Sequence, residues 1–233
     1  MQTLLSQLTL SLSSKDEATF ENFYPGRNTE IVSELTKSAR GHGERIIYLC
    51  GARGQGCSHL LQAACHDAYR QGVTSVYLPL AHLASLSSEM LIGLETMRLV
   101  CIDDIEAIAG QGEWEEAVFH LFNRVNDAGG HLIIAAHDIP KSIPIQLPDL
   151  LSRLSWGVVY QLAALEDDEK IKALSMRALR RGMTLPEEVG KYILTHCPRH
   201  VGTLFAALDA LDKASLAAQR RLTIPFVKNV LQI

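Results

Sequence analysis

The chain has no excess of positive charge, no paired-cysteine motif, few aromatics and no long apolar run, and each absence removes a class of function. Of its 233 residues, 22 are Lys or Arg and 26 are Asp or Glu, a formal net charge of −4. The electrostatic footprint of a protein that grips nucleic-acid phosphates unaided is therefore missing. The five cysteines, at 50, 57, 65, 101 and 197, form neither a C-x-x-C pair nor a zinc-type spacing, which fits reduced thiols, several of them core filler, in the cytosol. There is no positively charged leader and no apolar stretch of the ~20 residues a bilayer demands. The expectation is a cytoplasmic protein without a membrane partner. What remains is ordinary: 47% hydrophobic and 21% charged residues, the make-up of a globular chain able to bury a core.

Three regions follow from the patterning. Residues 1–16, MQTLLSQLTLSLSSKD, alternate Leu with small polar residues and give way to Ser and charge, the pattern of a flexible tail carrying a short extended peptide. Across 17–161, apolar runs alternate with amphipathic stretches, which predicts an α/β domain of β-α-β units about a parallel five-stranded sheet. The strand candidates are 45–50, 75–80, 99–104, 131–136 and a short 157–162, several of them continuous apolar runs of the kind buried on both faces. Helices are expected over Ser58–Gln71 and Glu113–Asp127. From 162 to 233 apolar residues recur at helical spacing, predicting a small all-α domain, with Thr184 and Glu187 matching a capping box and Gly182 and Pro198 as breaks.

The stretch GARGQGCS, 51–58, follows a strand candidate and opens a helix candidate. It has the glycines of a phosphate-binding loop, whose backbone N–H groups converge on phosphates at a helix N-terminus while Ser or Thr serves a magnesium ion. Ser58 fills that last role, but Cys57 stands where the pattern asks for Lys. About fifty residues on, LVCIDD ends a strand candidate in Asp103 and Asp104; in P-loop proteins the first such acid serves the metal and the second orients the attacking water. Strand-end carboxylates are otherwise often a solvated turn. Asp138, in HDIP, follows a strand that could lie between the other two and is either a γ-phosphate sensor or a turn former. Arg153, in LLSRLSWG, closes the α/β region, where an arginine can reach a neighbour's phosphates or make a surface ion pair.

In this order the elements resemble an AAA+ module of the DnaA initiator type, and within that family the DnaA-homologous regulators that inactivate the replication initiator. FENFYPG (20–26) resembles the family's lead-in segment, GARGQGCSHLLQAA its Walker A, LVCIDDIEAIAG its Walker B, HDIP its sensor 1, LLSRLSWG its arginine-finger box, and LTIPFVKNVLQI the end of its lid. The resemblance runs from about residue 18 to the C-terminus. It implies a nucleotide lined by Phe23, Tyr24 and Pro25, by Gly51, Ala52, Arg53, Gly54, Gln55, Gly56, Cys57, Ser58 and His59, and by Arg199 and Gly202 of the lid. It also implies magnesium at Ser58 and Asp103, a catalytic set of Asp103, Asp104 and Asp138, and Arg153 as a finger acting in trans. The chain ends with the lid, so a sequence-specific DNA-binding domain is not expected. QLTLSL, from Gln7 through Leu8 and Leu10 to Leu12, resembles the peptide with which such regulators hold the DNA polymerase sliding clamp.

Cys57 for Lys, and Gly202 where the sensor 2 pattern has Arg, remove two cations from one γ-phosphate. This points to little intrinsic hydrolysis, with ADP or another nucleoside diphosphate as the favoured ligand. Arg199, one helical turn earlier, could reach part of the same space, and Cys57 at a helix N-terminus could be a reactive thiolate. The expected function is an adaptor that docks on clamp and initiator and promotes the initiator's ATP hydrolysis. Two other readings of the same residues stand beside it: an autonomous AAA+ ATPase that remodels or loads a replication protein, and a self-assembling module in which Arg153 contacts a second copy.

Overall fold

Residues buried on both faces of a sheet cannot alternate with polar ones, and the chain's apolar runs become strands for that reason. A computed structural model describes residues 18–218 and 221–233. After a lead-in of two 3₁₀ turns come helix α1 (Thr29–Ala39), strand β1 (Ile46–Cys50), α2 (Cys57–Arg70), β2 (Ser75–Pro79) and the single turn α3 (Leu80–Leu83). Next are β3 (Leu99–Asp103), α4 (Gly112–Asp127), β4 (His131–Ala136), α5 (Pro148–Leu154) and β5 (Val158–Gln161). The helices α6 (Asp167–Arg180), α7 (Glu187–His196), α8 (Val201–Ala218) and α9 (Ile224–Leu231) follow. Each expected strand and helix is found, with ends displaced by at most a residue.

The sheet is wholly parallel in the order β2-β3-β4-β1-β5. Leu49 pairs with Ala135 and Ile102 with Ile134, so β4 lies between β1 and β3. Alternate residues of each strand feed opposite cores. One face buries Ile47, Leu49, Cys101 and Ile133 under α1 and α2; the other buries Tyr48, Ile102 and Ile134 under Trp114, Val118 and Phe122 of α4 and Leu150 and Leu154 of α5. The four C-terminal helices close on their own core of Leu174, Val189, Ile193, Leu208 and Val227.

Two polar ties fix the frame. The buried carboxylate of Glu115 in α4 accepts N–H bonds from Gly110 at 2.7 Å, Gln146 at 3.0 Å and Leu147 at 2.6 Å, anchoring the segment that leads into α5. Asn28 exchanges two bonds with the chain just past β5: Nδ2 donates to the Ala163 carbonyl at 3.0 Å, and Oδ1 accepts from the Ala163 N–H at 2.8 Å.

The capping box expected of Thr184 and Glu187 does not form. Pro186, extended at φ −61° and ψ 145°, is itself the N-cap of α7, so Glu187 is the first helical residue and not the third. The reciprocal boxes belong to Thr19 with Asn22 and to Glu166 with Glu169.

Candidate nucleotide-binding site

In an open parallel sheet, ligands bind beyond the strands' C-terminal ends where the strand order reverses. The 51–56 loop leaves the C-terminal end of β1, which is inserted between β4 and β5. Its first N–H continues the sheet by donating from Gly51 to the Ala136 carbonyl at 3.2 Å, and its turn closes from Gln55 N–H to the Ala52 carbonyl at 3.0 Å. Gly54 (φ +83°) and Gly56 (φ +106°) hold backbone angles that favour glycine. Helix α2 starts at Cys57 without a side-chain cap, so its first N–H groups remain available to an anion. Ala52, Arg53, Gly54 and Ser58 are exposed at this rim.

The lead-in packs directly on the loop. Phe23 lies so close that a Cβ on Gly56 would stand 2.7 Å from its Cε2. On its other side Phe23 meets His59, ring centres 5.6 Å apart, and His59 Nε2 lies 3.0 Å from the Thr19 carbonyl. Pro25 closes the next turn by accepting from the Asn28 N–H at 2.8 Å, and Tyr24 is half-buried beside it. Under the loop, Gln55 Oε1 is buried without a donor, and both it and Cys57 Sγ occupy space that a side chain at Gly51 would claim.

Cys57 is not the thiolate its helix position suggested. Burial, aided by the negative charge of Asp103, pushes its thiol up to about 12. Desolvation outweighs the helix dipole here.

The acid pair sits two strands away, with β4 between. Asp103 is buried at the end of β3, accepting from the Tyr77 hydroxyl at 2.6 Å and from the Asp104 N–H at 3.1 Å. Gln62 of α2 donates in turn to the Tyr77 oxygen at 3.3 Å, linking Walker A helix to Walker B strand. Asp104 adopts the left-handed conformation (φ 54°). Its carboxyl is held above the usual range by burial, then by Asp103 and Glu106. Glu106 accepts from the backbone N–H of His137 at 3.1 Å and pairs with His137 Nδ1. Asp138 turns aside: its Oδ1 accepts from the Ile139 N–H at 2.7 Å and its carbonyl from the Tyr48 hydroxyl at 2.9 Å. That is the turn-forming geometry.

Two further expected site residues, Arg199 and Gly202, lie at the start of the lid's third helix. Arg199 precedes α8, which starts at Val201, and it pairs with Asp167 at 2.9 Å instead of standing a helical turn before Gly202. Gly202 is exposed, with open space around its Cβ position.

Arg153 lies at the far end of the sheet. Its Nε donates to Asn123 at 2.8 Å, and its guanidinium rests over Trp156, 4.9 Å from the ring centre. Trp156 in turn lines a hollow with Glu44, Arg45, Ile46, Gly157 and Val158, at the strands' N-terminal ends. A strand the length of β1 separates that end from the phosphate loop by ~15 Å.

The sequence motifs missed Tyr77, Gln62, Glu106 and His137. Glu106 lies two residues after Asp104 and His137 immediately precedes Asp138, and that proximity was the signal available. Gln7, Leu8, Leu10 and Leu12 lie outside the described residues.

A glycine loop opening a helix after the reversal strand, an acid pair closing β3, and β4 interposed define an AAA+ P-loop nucleotide-binding module with a helical lid. The chain belongs to the family of the bacterial DnaA ATPase domain, whose model matches residues 14–161. Residues 167–231 match the family model described as Hda, lid domain. Among solved structures, domain III of the Thermotoga maritima replication initiation protein DnaA is similar over 95% of this chain and 98% of its own, with TM-score 0.81 and 21% identity. AMPPCP-bound DnaA from Aquifex aeolicus is similar over 86% and 66%, with TM-score 0.72 and 22% identity. The Thermotoga maritima RuvB Holliday junction branch migration motor shares the fold more distantly, over 92% and 73%, with TM-score 0.67 and 12% identity.

Proposed function

We propose that this DnaA-related protein is a cytoplasmic negative regulator of replication initiation, which binds ADP and stimulates ATP hydrolysis by a DnaA-type initiator. The observation that carries the proposal is the separation within one chain of a phosphate loop without its cation from an arginine braced at the opposite end of the sheet. A guanidinium so placed serves a neighbour's phosphates, not its own loop's. Family membership supports a DnaA-type initiator as that neighbour.

The residues present fit a nucleoside diphosphate. Gly51, Gly54, Gly56 and the start of α2 offer backbone donors for its phosphates, and Phe23 and His59 wall the loop. Ser58 and Asp103 are the groups that would hold magnesium, which supplies charge neutralisation when bound. With Cys57 protonated and Gly202 bare, the β/γ position has no lysine and no lid arginine, and intrinsic turnover is low. Gln7, Leu8, Leu10 and Leu12 tether the protein to the DNA-loaded sliding clamp, raising the effective concentration of Arg153 at the initiator. No described helix is long and apolar enough to cross a membrane.

The test measures conversion of initiator-bound ATP to ADP with DNA-loaded clamp present, using the native protein, Arg153→Ala and Gln7→Ala. Clamp-dependent stimulation lost in both variants, with clamp binding kept by Arg153→Ala, is the expected result. If the native protein stimulates nothing but hydrolyses ATP alone, and Asp104→Asn abolishes that turnover, the chain is an autonomous ATPase instead. Light scattering with and without ADP reads whether two copies associate through the Arg153 end.

A further inference from the structure

Just past the C-terminal ends of β3 and β4, Asp104, Glu106 and His137 form a trio. One donor atom from each lies within 4.8 Å of the other two. We propose that this trio binds a borderline divalent transition cation of the zinc type, separate from any nucleotide-bound magnesium.

Three observations support the assignment. First, the donor set is mixed. Imidazole with two carboxylates suits zinc-like ions, whereas magnesium takes oxygen ligands and seldom imidazole. Second, the spacing is near that of a coordination sphere. Donors about 2.1 Å from a tetrahedral zinc stand about 3.4 Å apart; here one donor atom from each residue lies within 4.8 Å of the other two, and His137 Nε2 stands 3.9 Å from Asp104 Oδ1. Third, one carboxylate oxygen lacks a partner. Glu106 Oε1 takes both His137 contacts, while Oε2 is buried with no donor at all. A buried, unpaired carboxylate oxygen is costly unless a cation meets it.

The surroundings allow binding and give it a use. His137 is half-exposed, so an ion has a route in, while Asp104 and Glu106 are mostly covered. Three carboxylates, those of Asp103, Asp104 and Glu106, crowd this edge, with Arg53 the nearby loop cation. A bound dication with three protein ligands and a free position restores positive charge beside a phosphate loop that has Cys57 in place of Lys. The binding itself requires no nucleotide.

The experiment titrates ZnCl₂ into the chelator-dialysed, nucleotide-free full chain by calorimetry. MgCl₂ serves as the comparison, and CoCl₂ absorption reports ligand type. The native chain is expected to take up one Zn²⁺ at a site that excess Mg²⁺ does not displace. Co²⁺ should show no thiolate charge-transfer band, and His137→Ala and Glu106→Gln should each weaken affinity at least about tenfold. Melting curves accompany each variant, and His137→Gln replaces His137→Ala if the latter does not fold. Absence of uptake, uptake undiminished in the histidine variants, or a thiolate band tracing the metal to cysteine overturns the proposal. In that case the trio is only an ion pair closing the loop after β4. ATP-to-ADP conversion in the initiator assay is read separately, so failure of one reading does not decide the other.

Discussion

Gly56 and Gly54 form a matched pair whose substitution separates backbone strain from steric conflict. Both have positive φ, +106° and +83°, but a Cβ at Gly54 meets nothing within 4 Å while one at Gly56 stands 2.7 Å from Phe23 Cε2. Gly54→Ala therefore pays conformational strain alone, about 1–2 kcal/mol. Gly56→Ala adds an overpacking cost of about 1–3 kcal/mol, because the Phe23 ring cannot simply swing away: it packs on the core under α2 and against His59. A difference of ~2 kcal/mol corresponds to ~4–8 °C in Tm for a chain of this size. Calorimetric melting of both variants, repeated in a Phe23→Ala background, gives the measurement. With the ring removed, the cost of Gly56→Ala should fall toward that of Gly54→Ala, leaving only the extra strain of its larger φ. Equal costs in the two backgrounds, or a Gly56→Ala no worse than Gly54→Ala with the ring present, would show that the loop and lead-in do not pack as described. ADP titration of the same proteins should weaken most for Gly56→Ala, since its strain bends the N–H groups that face the phosphates.

Three further outcomes are expected. Cys57, with its thiol near 12, should react with iodoacetamide at pH 8 far more slowly than a free thiol, about one part in ten thousand being thiolate. Because its folded pKa lies above the unfolded value, its contribution to stability is complete below about pH 9 and lost as pH rises toward 12; rapid labelling of native Cys57 at pH 8 would contradict the burial. Tyr77→Phe removes the hydroxyl that donates to buried Asp103 at 2.6 Å and should cost about 1.5–3 kcal/mol by denaturant unfolding, whereas an unchanged midpoint would mean the bond contributes nothing. Glu115→Ala strands the N–H groups of Gly110, Gln146 and Leu147. It should lower stability by about 3 kcal/mol or more and weaken initiator stimulation with it, since α5 carries Arg153; normal melting with normal stimulation would remove the anchor from the account.

What could be read from the sequence was whatever lies contiguous in it. The strands show because burial on both faces leaves unbroken apolar runs such as HLIIAA, and the phosphate loop shows because its glycines, helix start and Ser58 are consecutive. Tyr77 and Asp103 are 26 residues apart and meet only because β2 pairs with β3, a neighbour relation no local pattern encodes. Glu106 and His137, 31 apart, meet because β4 was inserted beside β3. The Thr184 match failed for the opposite reason: the pattern was local, but Pro186 took the capping position first. For Cys57, position alone left a dipole-stabilised thiolate open, while only the packed structure reveals the desolvation that wins.

The Glu115 carboxylate also constrains how the chain folds. Its donors come from both directions along the chain, Gly110 five residues before and Gln146 and Leu147 about thirty after. A nascent or partly unfolded molecule that buried α4 against the sheet before residues 146–147 had docked would enclose a charge with most of its donors missing, which is unfavourable by several kcal/mol. Docking of α4 and of the segment leading to α5 is thereby made concurrent, through an interval that contains the whole of β4. Arg153 follows directly on that anchored segment and its Nε partner Asn123 lies on α4 itself, so its bracing depends on both having docked.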